Sequence, residues 1–503
     1  MKLQRVGTLF TIVLLCVYLT LSIPVLVLTG VESDFYWIIF SLLYECLALG
    51  IALELTELLL GISLASRVHA KASKIEKSQI SIAILYVCCD DVDEVSLQSL
   101  SCLQEFDVFI LDDSKGIDSQ RRIDRSGLTT IRRADRLGFK AGNLNNWLIQ
   151  FGDCYDYFVI LDSDSVMTPK AIWDLVAIAE HPDNEDVAIV QSKILPCLGN
   201  SFQRLMGCQA KIRLRILSRV HDRMGWSLSH GHNNLHRLEA VRQVGGFDLS
   251  STCEDTLISL RLAREGWRII LVETLSHDAE PHNVFTFRRR MVRWARQTAD
   301  LVITFRSTVT RPHAWLIARH LFSYMLPMLC IVLLAFVTLT TRITMSQALE
   351  ITCGNFMLKD GYIIPGLISY LLLTSFTLVV ALRLSLFILS GGRLRTFLLS
   401  TILGGAVSSF CTLHVIFGMI QSFASNRTGF SPTGIYERRS HGIAEIIREM
   451  AIPWFIYVGI TGVLFSKPGL LVFGLNLVWA MSLVTAPFIL FAFHRDLRRG
   501  QIP

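Results

Sequence analysis

The chain of 503 residues is long enough for more than one domain. Its apolar fraction of 51% and mean hydropathy of +0.46 are too high for an ordinary soluble protein and indicate a membrane protein. The formal net charge of +6 suits basic cytosolic loops and does not indicate a nucleic-acid-binding protein. The twelve cysteines lie mostly in apolar stretches without a CxxC pair, which predicts buried thiols and no disulfide framework.

Apolar stretches near the two ends of the chain are candidates for membrane spans. Seven spans would place both the loop 425–450 and the tail after residue 493 outside the cell, and the positive-inside rule opposes this because both are basic. With 396–424 as an interfacial segment, six spans remain, and every basic loop and both termini face the cytosol. The seven candidate stretches are 7–29, 36–64, 314–340, 362–389, 396–424, 451–466 and 469–493.

The polar middle of the chain, residues 71–282, alternates strand-like and helix-like segments. This alternation predicts an α/β domain with a mostly parallel sheet and helices on both faces. Thr168-Pro169 is a helix start signal, and Gly266 ends a helix that begins at Glu254. The buried strand patterns are Ile80–Cys89, Phe106–Leu111, Tyr157–Leu161 and Val187–Val190.

Acidic residues follow two of these strands, where ligands of parallel sheets bind. Asp162 and Asp164 come directly after an apolar run, and alternating carboxylates there are suitable oxygen ligands for Mg²⁺ or Mn²⁺. Such a cation would bind phosphate oxygens as well, which predicts a nucleotide-linked substrate. Asp112 and Asp113 precede a serine and on their own are equally typical of a turn.

Two predicted helix starts carry further candidate side chains. Lys140 lies in a Gly-rich helix entrance, where an ammonium group and backbone donors can approach a phosphate; the alternative is a solvated surface lysine. Glu254 and Asp255 lie in a first helical turn, where the helix dipole favours acidic residues. The functional alternative is that one of these carboxylates is a general base that deprotonates an acceptor hydroxyl.

Residues 287–298 form an amphipathic helix with aromatic and basic positions. It is either an interfacial helix with lipid-directed arginines or a binding element in which Arg293 meets a diphosphate and Trp294 supports a sugar ring. The histidine-containing segment 229–236 has no Cys or acidic partner at zinc-ligand spacing, so we interpret it as a polar pocket wall.

The order of these motifs, D, D, DxD, ED and RxxRW between flanking membrane helices, resembles the processive family-2 glycosyltransferases. These include bacterial cellulose synthase, hyaluronan and chitin synthases, and related membrane glucan synthases. The resemblance covers about residues 80 to 300 and extends more loosely through the C-terminal helices. The segment Phe430-Ser-Pro-Thr433 is similar to the loop that closes over the nucleotide in that family.

The resemblance implies a role for each matched residue. Asp112 and Asp113 would bind the uridine, Asp162 and Asp164 the metal, Asp255 with Glu254 would provide the base, and Trp294 would contact the acceptor sugar. The donor-binding positions that it implies are Asp112, Asp113, Lys140, Asp162, Asp164, Gln191, Arg290, Arg293, Phe430 and Thr433.

Several positions depart from the family pattern and leave acceptor geometry and linkage open. Cys88-Cys89-Asp90 replaces the usual TYN-type motif, and Cys253 replaces the threonine of TED. Arg290 stands where the family has the glutamine of QxxRW. The acceptor-mouth segment of cellulose synthases, an FFCG-type sequence, is replaced by residues 228–233.

The expected protein is therefore a multi-pass enzyme of the bacterial cytoplasmic membrane with a GT-A-like cytosolic domain. It would polymerise a sugar from UDP-glucose, or from UDP-GlcNAc, with inversion into a β-linked polysaccharide that crosses the bilayer; accessory subunits are compatible with this function. The alternatives are addition of a single sugar to a lipid or glycan, and a transporter with a nucleotide-sensing domain, which Glu45, Glu54 and Glu57 favour. The expected domains are 1–70, 71–282, 283–312 and 313–503.

Overall fold

The computed structural model describes most of the polar middle and the larger part of the apolar ends. The described residues are 2–31, 35–64, 71–197, 199–216, 220–251, 253–303, 306–340, 363–424, 443–465, 484–490 and 492. The α-helices among them are α1 Lys2–Val31, α2 Phe35–Ser63, α3 Glu94–Ser99, α4 Ile117–Asp124, α5 Phe139–Phe151, α6 Pro169–Ala179, α7 Ser201–Ile216, α8 Asp222–Met224, α9 Leu238–Gln243, α10 Glu254–Arg264, α11 Val284–Ile303, α12 Arg311–Thr340, α13 Ile363–Ile388, α14 Leu394–Ala424 and α15 Ile443–Phe465.

Seven strands within these ranges form one mixed sheet with the order β3-β2-β1-β4-β6-β5-β7. β1 pairs in parallel with β2 and β4, and β2 in parallel with β3, while β6 runs antiparallel to both of its neighbours. The mostly parallel sheet that the sequence predicted is thereby confirmed. The strands are β1 Ile82–Cys88, β2 Asp107–Asp112, β3 Thr129–Arg132, β4 Tyr157–Asp162, β5 Val187–Cys197, β6 Asn234–Arg237 and β7 Arg268–Ala279.

Both faces of the sheet are covered, which explains the continuous apolar runs of its central strands. In β1, Ile84 and Tyr86 pack in one apolar layer against α3 and α6. Ala83 and Leu85 belong to the opposite layer, which contains Trp147 and the residues of α5, α9 and α10. Successive strand residues point to opposite faces, so both sets of side chains are buried.

The register of the sheet aligns the acidic carboxyl ends of β2 and β4 with the carboxyl end of β1. Asp112 at the end of β2 pairs with Cys88, and Asp162 at the end of β4 pairs with Val87. β1 therefore has a carboxylate on each side at its carboxyl end. The Thr168 side chain accepts a hydrogen bond from the Ala171 amide and starts α6, as the sequence predicted.

Four helices in the described residues are long and apolar enough to cross a membrane, namely Val6–Leu26, Ile38–Ser63, His313–Leu333 and Leu394–Ser422. The first three coincide with predicted spans. The fourth coincides with the segment that we expected in the interface, and its length and composition are compatible with either place. Shorter apolar helices lie at Thr374–Ile388 and Trp454–Val463, and most of the predicted span 469–493 lies outside the described residues.

All three glutamates that favoured a transport pathway have partners inside the protein. The three side chains connect helix α2 with α1, with α12 and α13, and with the segment before α8. The partners are Tyr18 and Ser22 for Glu45, Arg383 for Glu54, and Arg319 and His221 for Glu57. These pairs give the glutamates a role in holding helices together and weaken the main argument for a transporter.

Candidate active site

The carboxyl ends of β4 and β7 bring three carboxylates together: Asp162, Asp164 and Asp278. The bridge between Val166 and His277 ties the loop after β4 to β7 through two hydrogen bonds of 2.9 Å. Asp164 consequently lies against Asp278, and the two carboxyl groups share a hydrogen bond. Sequence reasoning predicted the first two residues and missed Asp278, because the burial of β7 follows no regular alternation.

The environment of Asp164 and Asp278 disfavours two negative charges. Burial is the main cause for both groups. Repulsion by Asp278 adds to it for Asp164, whose pKa rises well above its usual range. For Asp278, the hydrogen bond with Asp164 opposes the effect of burial and repulsion by Asp162 adds to it, and the pKa rises to about 7. The Oδ1 atom of Asp278 is buried and has no hydrogen-bond partner in the described residues. Such a pair shares a proton, which a divalent cation can replace.

The residues present fit a Mg²⁺ or Mn²⁺ ion that is bound jointly with a phosphate-bearing substrate. No group of three or more His, Cys, Asp or Glu side chains with metal-binding geometry occurs in the described residues. A cage made by protein ligands alone is not needed, because Mg²⁺ usually binds through one or two carboxylates together with substrate phosphates and water. Asp162 and Asp164 would hold the ion, and Asp278 lies next to Asp164 as a third negative group.

Lys140 lies in the first turn of α5 and faces the carboxylates. Its ammonium group donates to a carboxylate oxygen of Asp162 and to the Gly231 carbonyl at 3.0 Å, and it lies 4.0 Å from Glu254. Burial alone would lower the pKa of Lys140, but the carboxylates outweigh burial and raise it above the ordinary value. Lys140 is therefore a buried cation of the site and not a solvated surface lysine.

The glycines on either side of Lys140 are required by the local backbone conformation. Gly138 has φ +71°, and a Cβ on Gly142 would lie 1.9 Å from the Leu137 carbonyl oxygen. Both positions are needed for the tight entry of the chain into α5. Their presence therefore does not by itself indicate close approach of a phosphate.

Asp112 and Asp113 are each paired with an arginine at the edge of the sheet. Arg132 donates from Nε to Asp112 at 2.6 Å, and Arg133 makes a two-pronged contact with Asp113 at 2.9 and 2.6 Å. The Asp112 side chain has no exposed surface, and that of Asp113 is 7% exposed. Asp112 is thus placed to orient Arg132, while a direct contact of Asp113 with a nucleotide base stays a prediction.

Glu254 and Asp255 begin α10 on the other side of Lys140. Burial raises the pKa of Glu254 to about 7, and Asp255 adds to this effect. The Asp255 Oδ1 atom accepts a hydrogen bond from the Thr256 amide at 2.7 Å. A Cβ on Gly231, which has φ +84°, would lie 3.0 Å from Asp255 Oδ2. The backbone at Gly231 therefore packs directly against the carboxylate that we expect to be the base.

Gln191 organises the loop that contains Gly231. Its side chain is fully buried, donates to the carbonyl groups of His232 and Asn233, and accepts from the His230 amide at 2.9 Å. Asn234 in β6 donates to the same Gln191 oxygen at 3.3 Å. The residues read from the sequence as a polar pocket wall are thus a hydrogen-bonded unit. Gln191 is placed to support the site, and its donor contact stays a prediction.

The basic and aromatic positions of α11 lie beside this centre. Burial lowers the pKa of Arg293, and the carboxylates of Asp162 and Glu254 partly compensate, which places Arg293 within electrostatic reach of the acidic cluster. Arg290 forms an ion pair with Glu280 and lies over the Trp294 ring, with its guanidinium carbon 5.0 Å from the ring centroid. Arg290 and Arg293 therefore have different surroundings, since Arg290 lies beside Trp294 and Arg293 lies near Asp162 and Glu254.

Two of the predicted donor-binding residues lie outside the described part of the chain, and the structure shows further polar residues near the site that were not predicted. Phe430 and Thr433 lie outside the described residues. The residues that sequence reasoning missed are Arg132, Arg133, Arg213, His232 and Asp278. Of these, His232 lies 3.8 Å from Asp278. Two adjacent arginines following the β3 pattern were a usable signal for partners of Asp112 and Asp113.

A mixed sheet of this order, with acidic residues at the carboxyl ends of β2 and β4, has the GT-A-like architecture of glycosyltransferases. The family model for glycosyl transferase family group 2 matches residues 157–493, about two-thirds of the chain. The protein belongs to this family, and the resemblance seen in the sequence motifs is confirmed.

Individual relatives match over shorter stretches. A glucans biosynthesis glucosyltransferase H from Caulobacter vibrioides is 26% identical over 238 residues, covering 40% of this chain and 34% of that protein. The protein of the same name from Xylella fastidiosa is 31% identical over 232 residues, covering 40% of this chain and 35% of that protein. The chain thus spans about a third of the length of these curated relatives.

Among solved structures, a mannosyltransferase from Pyrobaculum calidifontis in complex with GDP-Man and Mn²⁺ is similar with a TM-score of 0.45 and 16% identity. That match covers 67% of this chain and 98% of the other.

Proposed function

We propose that this glycosyltransferase polymerises glucose from UDP-glucose into a β-linked polysaccharide and passes the product across the bacterial cytoplasmic membrane. The observation that carries the proposal is the opposition of two acidic groups across Lys140. Asp162 and Asp164 end β4 on one side, and Glu254 and Asp255 begin α10 on the other. The Asp162–Asp164 pair is suited to binding a metal–diphosphate complex, and the Glu254–Asp255 pair is suited to accepting a proton.

The chemistry that follows is a single in-line displacement at the anomeric carbon. Lys140 and Arg293 would stabilise the charge that develops on the departing UDP, and a cation held by Asp162 and Asp164 would neutralise the diphosphate. Asp255 would take the proton of the attacking acceptor hydroxyl. One displacement inverts the configuration, so an α-linked UDP-glucose yields a β-linkage.

The choice of glucose is supported by the relatives that are named as glucan glucosyltransferases. The domain that matches is the part that this chain shares with them, so the donor is proposed and UDP-GlcNAc is the second choice. The family match supports transfer of a sugar as the reaction, and the identity of the sugar is part of the proposal.

Polymer transfer through the membrane is supported by the position of α11. This helix, which carries Trp294, packs along α14 and also contacts α12. A product leaving the active site past Trp294 would move toward those helices. We propose both termini in the cytosol, with α14 at the interface. Transfer of one sugar to a lipid or glycan is the competing function, because the Trp294 ring is already in contact with two guanidinium groups.

The test is an incubation of the purified full chain with UDP- and GDP-sugars and Mg²⁺ or Mn²⁺. Released nucleotide and product length are measured together. We expect UDP release with UDP-glucose and long products, whereas products extended by one sugar would establish the competing function. Release from none of the donors would contradict the proposal.

A variant series tests the role of Asp255 in this reaction. We expect Asp255→Asn to reduce transfer by about 10²- to 10⁴-fold, because general-base catalysis contributes on this scale, and to leave UDP binding nearly unchanged. Asp118→Asn is the matched control, since Asp118 is an exposed aspartate in the first turn of α4. Equal loss of UDP binding and transfer in Asp255→Asn would remove Asp255 from the base role.

A further inference from the structure

Arg213 is a solvent-accessible cation that is surrounded by functional elements. It lies on α7, and more than a third of its surface is exposed. Its guanidinium carbon is 5.6 Å from the centroid of the Trp294 ring. Burial by neighbouring atoms lowers the pKa of Arg213, and Glu280, Arg290 and Tyr324 lie close enough to influence it. The neighbours come from the β7–α11 connection, α11 and α12, so Arg213 faces a solvated space between these elements.

The charge around Trp294 is not balanced. Arg213 and Arg290 both lie over the Trp294 ring, at 5.6 and 5.0 Å, but the nearby carboxylate of Glu280 forms its ion pair with Arg290. Among the described residues, Arg213 takes part in no ion pair or hydrogen bond. Two guanidinium groups thus share one carboxylate, and one positive charge is left over.

The remaining groups near Arg213 do not supply a negative charge. The pKa of His230 is lowered to about 3, mainly by burial and then by Arg213, so this imidazole is neutral. The N–H donors of the exposed Arg213 guanidinium group are therefore accessible to an anion. A planar guanidinium group can bind phosphate or carboxylate through two parallel hydrogen bonds.

Arg213 is on the acceptor side of the centre and not at the donor diphosphate. Burial raises the pKa of Asp162, and Lys140, His232 and Arg293 lower it and bring it below the ordinary value. The ring of Trp294, our proposed acceptor platform, is the group that Arg213 contacts. An anion bound at Arg213 would therefore belong to a molecule that lies along Trp294.

We propose that the molecule that accepts the first glucose carries an anionic group, a phosphate or a carboxylate, and that Arg213 binds it. This inference rests on the proposed function, because it assigns the acceptor class of the same site. The cation–π contact with Trp294 positions the guanidinium group and leaves its N–H donors for the anion. Arg213 is then a specificity-determining residue for the first acceptor and favours a charged molecule over a neutral one in that step.

The first experiment measures binding and does not require turnover. Equilibrium dialysis of the purified full chain in detergent compares octyl β-glucoside with octyl β-glucoside 6-phosphate and octyl β-glucuronide. We expect at least one anionic probe to bind about tenfold or more tightly than the neutral glucoside, as charge-assisted hydrogen bonds would provide. Arg213→Gln should abolish this preference, and Arg213→Lys should retain part of it.

Arg204→Gln is the matched control, because Arg204 is an exposed arginine of the same helix α7. An equal affinity of the wild type for neutral and anionic probes would overturn the proposal, and so would a preference that survives Arg213→Gln. Inorganic phosphate added as a competitor distinguishes a free anion from an acceptor group. If phosphate alone binds as tightly as the phosphorylated glucoside, the site takes free anions and the acceptor assignment is wrong.

A second experiment separates this inference from the proposed function. Release of UDP from UDP-glucose by the wild type is measured in parallel and reports on the proposed function alone. If no nucleotide sugar is turned over, the proposed function fails, while the binding experiment still reports on Arg213. If UDP release is intact and charged glucosides show no advantage as acceptors, only the inference about Arg213 fails.

Discussion

Replacing Gly231 by alanine tests whether Asp255 is held in its catalytic position by the neighbouring backbone. Gly231 has φ +84°, and the added Cβ would lie 3.0 Å from Asp255 Oδ2 and 3.1 Å from its Cβ. A left-handed conformation costs a non-glycine residue roughly 1–2 kcal/mol. Asp255 cannot simply turn away, because the Thr256 amide holds its other oxygen at 2.7 Å. The carboxylate must therefore shift by a few tenths of an ångström.

We expect this shift to reduce kcat about tenfold, since a displacement of ~1 Å costs on the order of 100-fold. Gly266→Ala is the matched control: Gly266 follows the same helix α10, has φ +89°, and has no atom within 4 Å of the added Cβ. Both variants should lose ~1–2 kcal/mol of stability through backbone strain, but only Gly231→Ala should lose activity. Thermal unfolding and steady-state transfer measure the two effects. Equal kcat values in the two variants would refute the placement of the base against this loop.

Two further predictions concern protons near the site. Asp164 and Asp278 share a proton, and the pKa of Asp278 is about 7, so Mn²⁺ binding should release about one proton at neutral pH and become stronger as the pH rises toward 7. In a calorimetric titration, Asp278→Asn should weaken the pH dependence of Mn²⁺ binding. An unchanged pH dependence in this variant would contradict the shared proton. The pKa of Glu254 is raised, so its stabilising contribution is complete below about pH 4.5 and is lost as the pH rises through about 7. Metal-free protein should thus lose at most ~3 kcal/mol from this group, and Glu254→Gln should remove part of the pH dependence of thermal unfolding.

The strands that are buried along their whole length were predictable, because each one is a continuous run of apolar residues in the sequence. β1, β2 and β4 are buried on both faces, so each is an almost unbroken apolar run ending in polar residues. Parallel neighbours have their carboxyl ends at the same edge of the sheet. Asp112 and Asp162 could therefore be assigned to one site before their register with β1 was known.

The strands that the sequence did not reveal have mixed or interrupted patterns. β3 is a partly buried edge strand of four residues, and β7 has irregular register with β5 near Gln191. β6 is central, but its buried residues include Asn234 and His236, which satisfy polar groups inside the domain. Apolar periodicity cannot identify such strands, and as a result the proximity of Asp278 to Asp164 was also hidden.

The partners of the motif residues divide them into two physical classes. Asp113 has a two-pronged arginine contact, and Gln191 has its amide group satisfied by buried backbone, so the fold itself uses these side chains. Asp164 is held against a like charge, and Arg213 lacks a carboxylate among the described residues. A buried pair of carboxyl groups costs folding stability, and such a pair persists where a bound ligand supplies the missing charge. The sequence motif does not distinguish the two classes, because the same residue type occurs in both. The structure distinguishes them, because it shows which charged side chains already have partners within the protein.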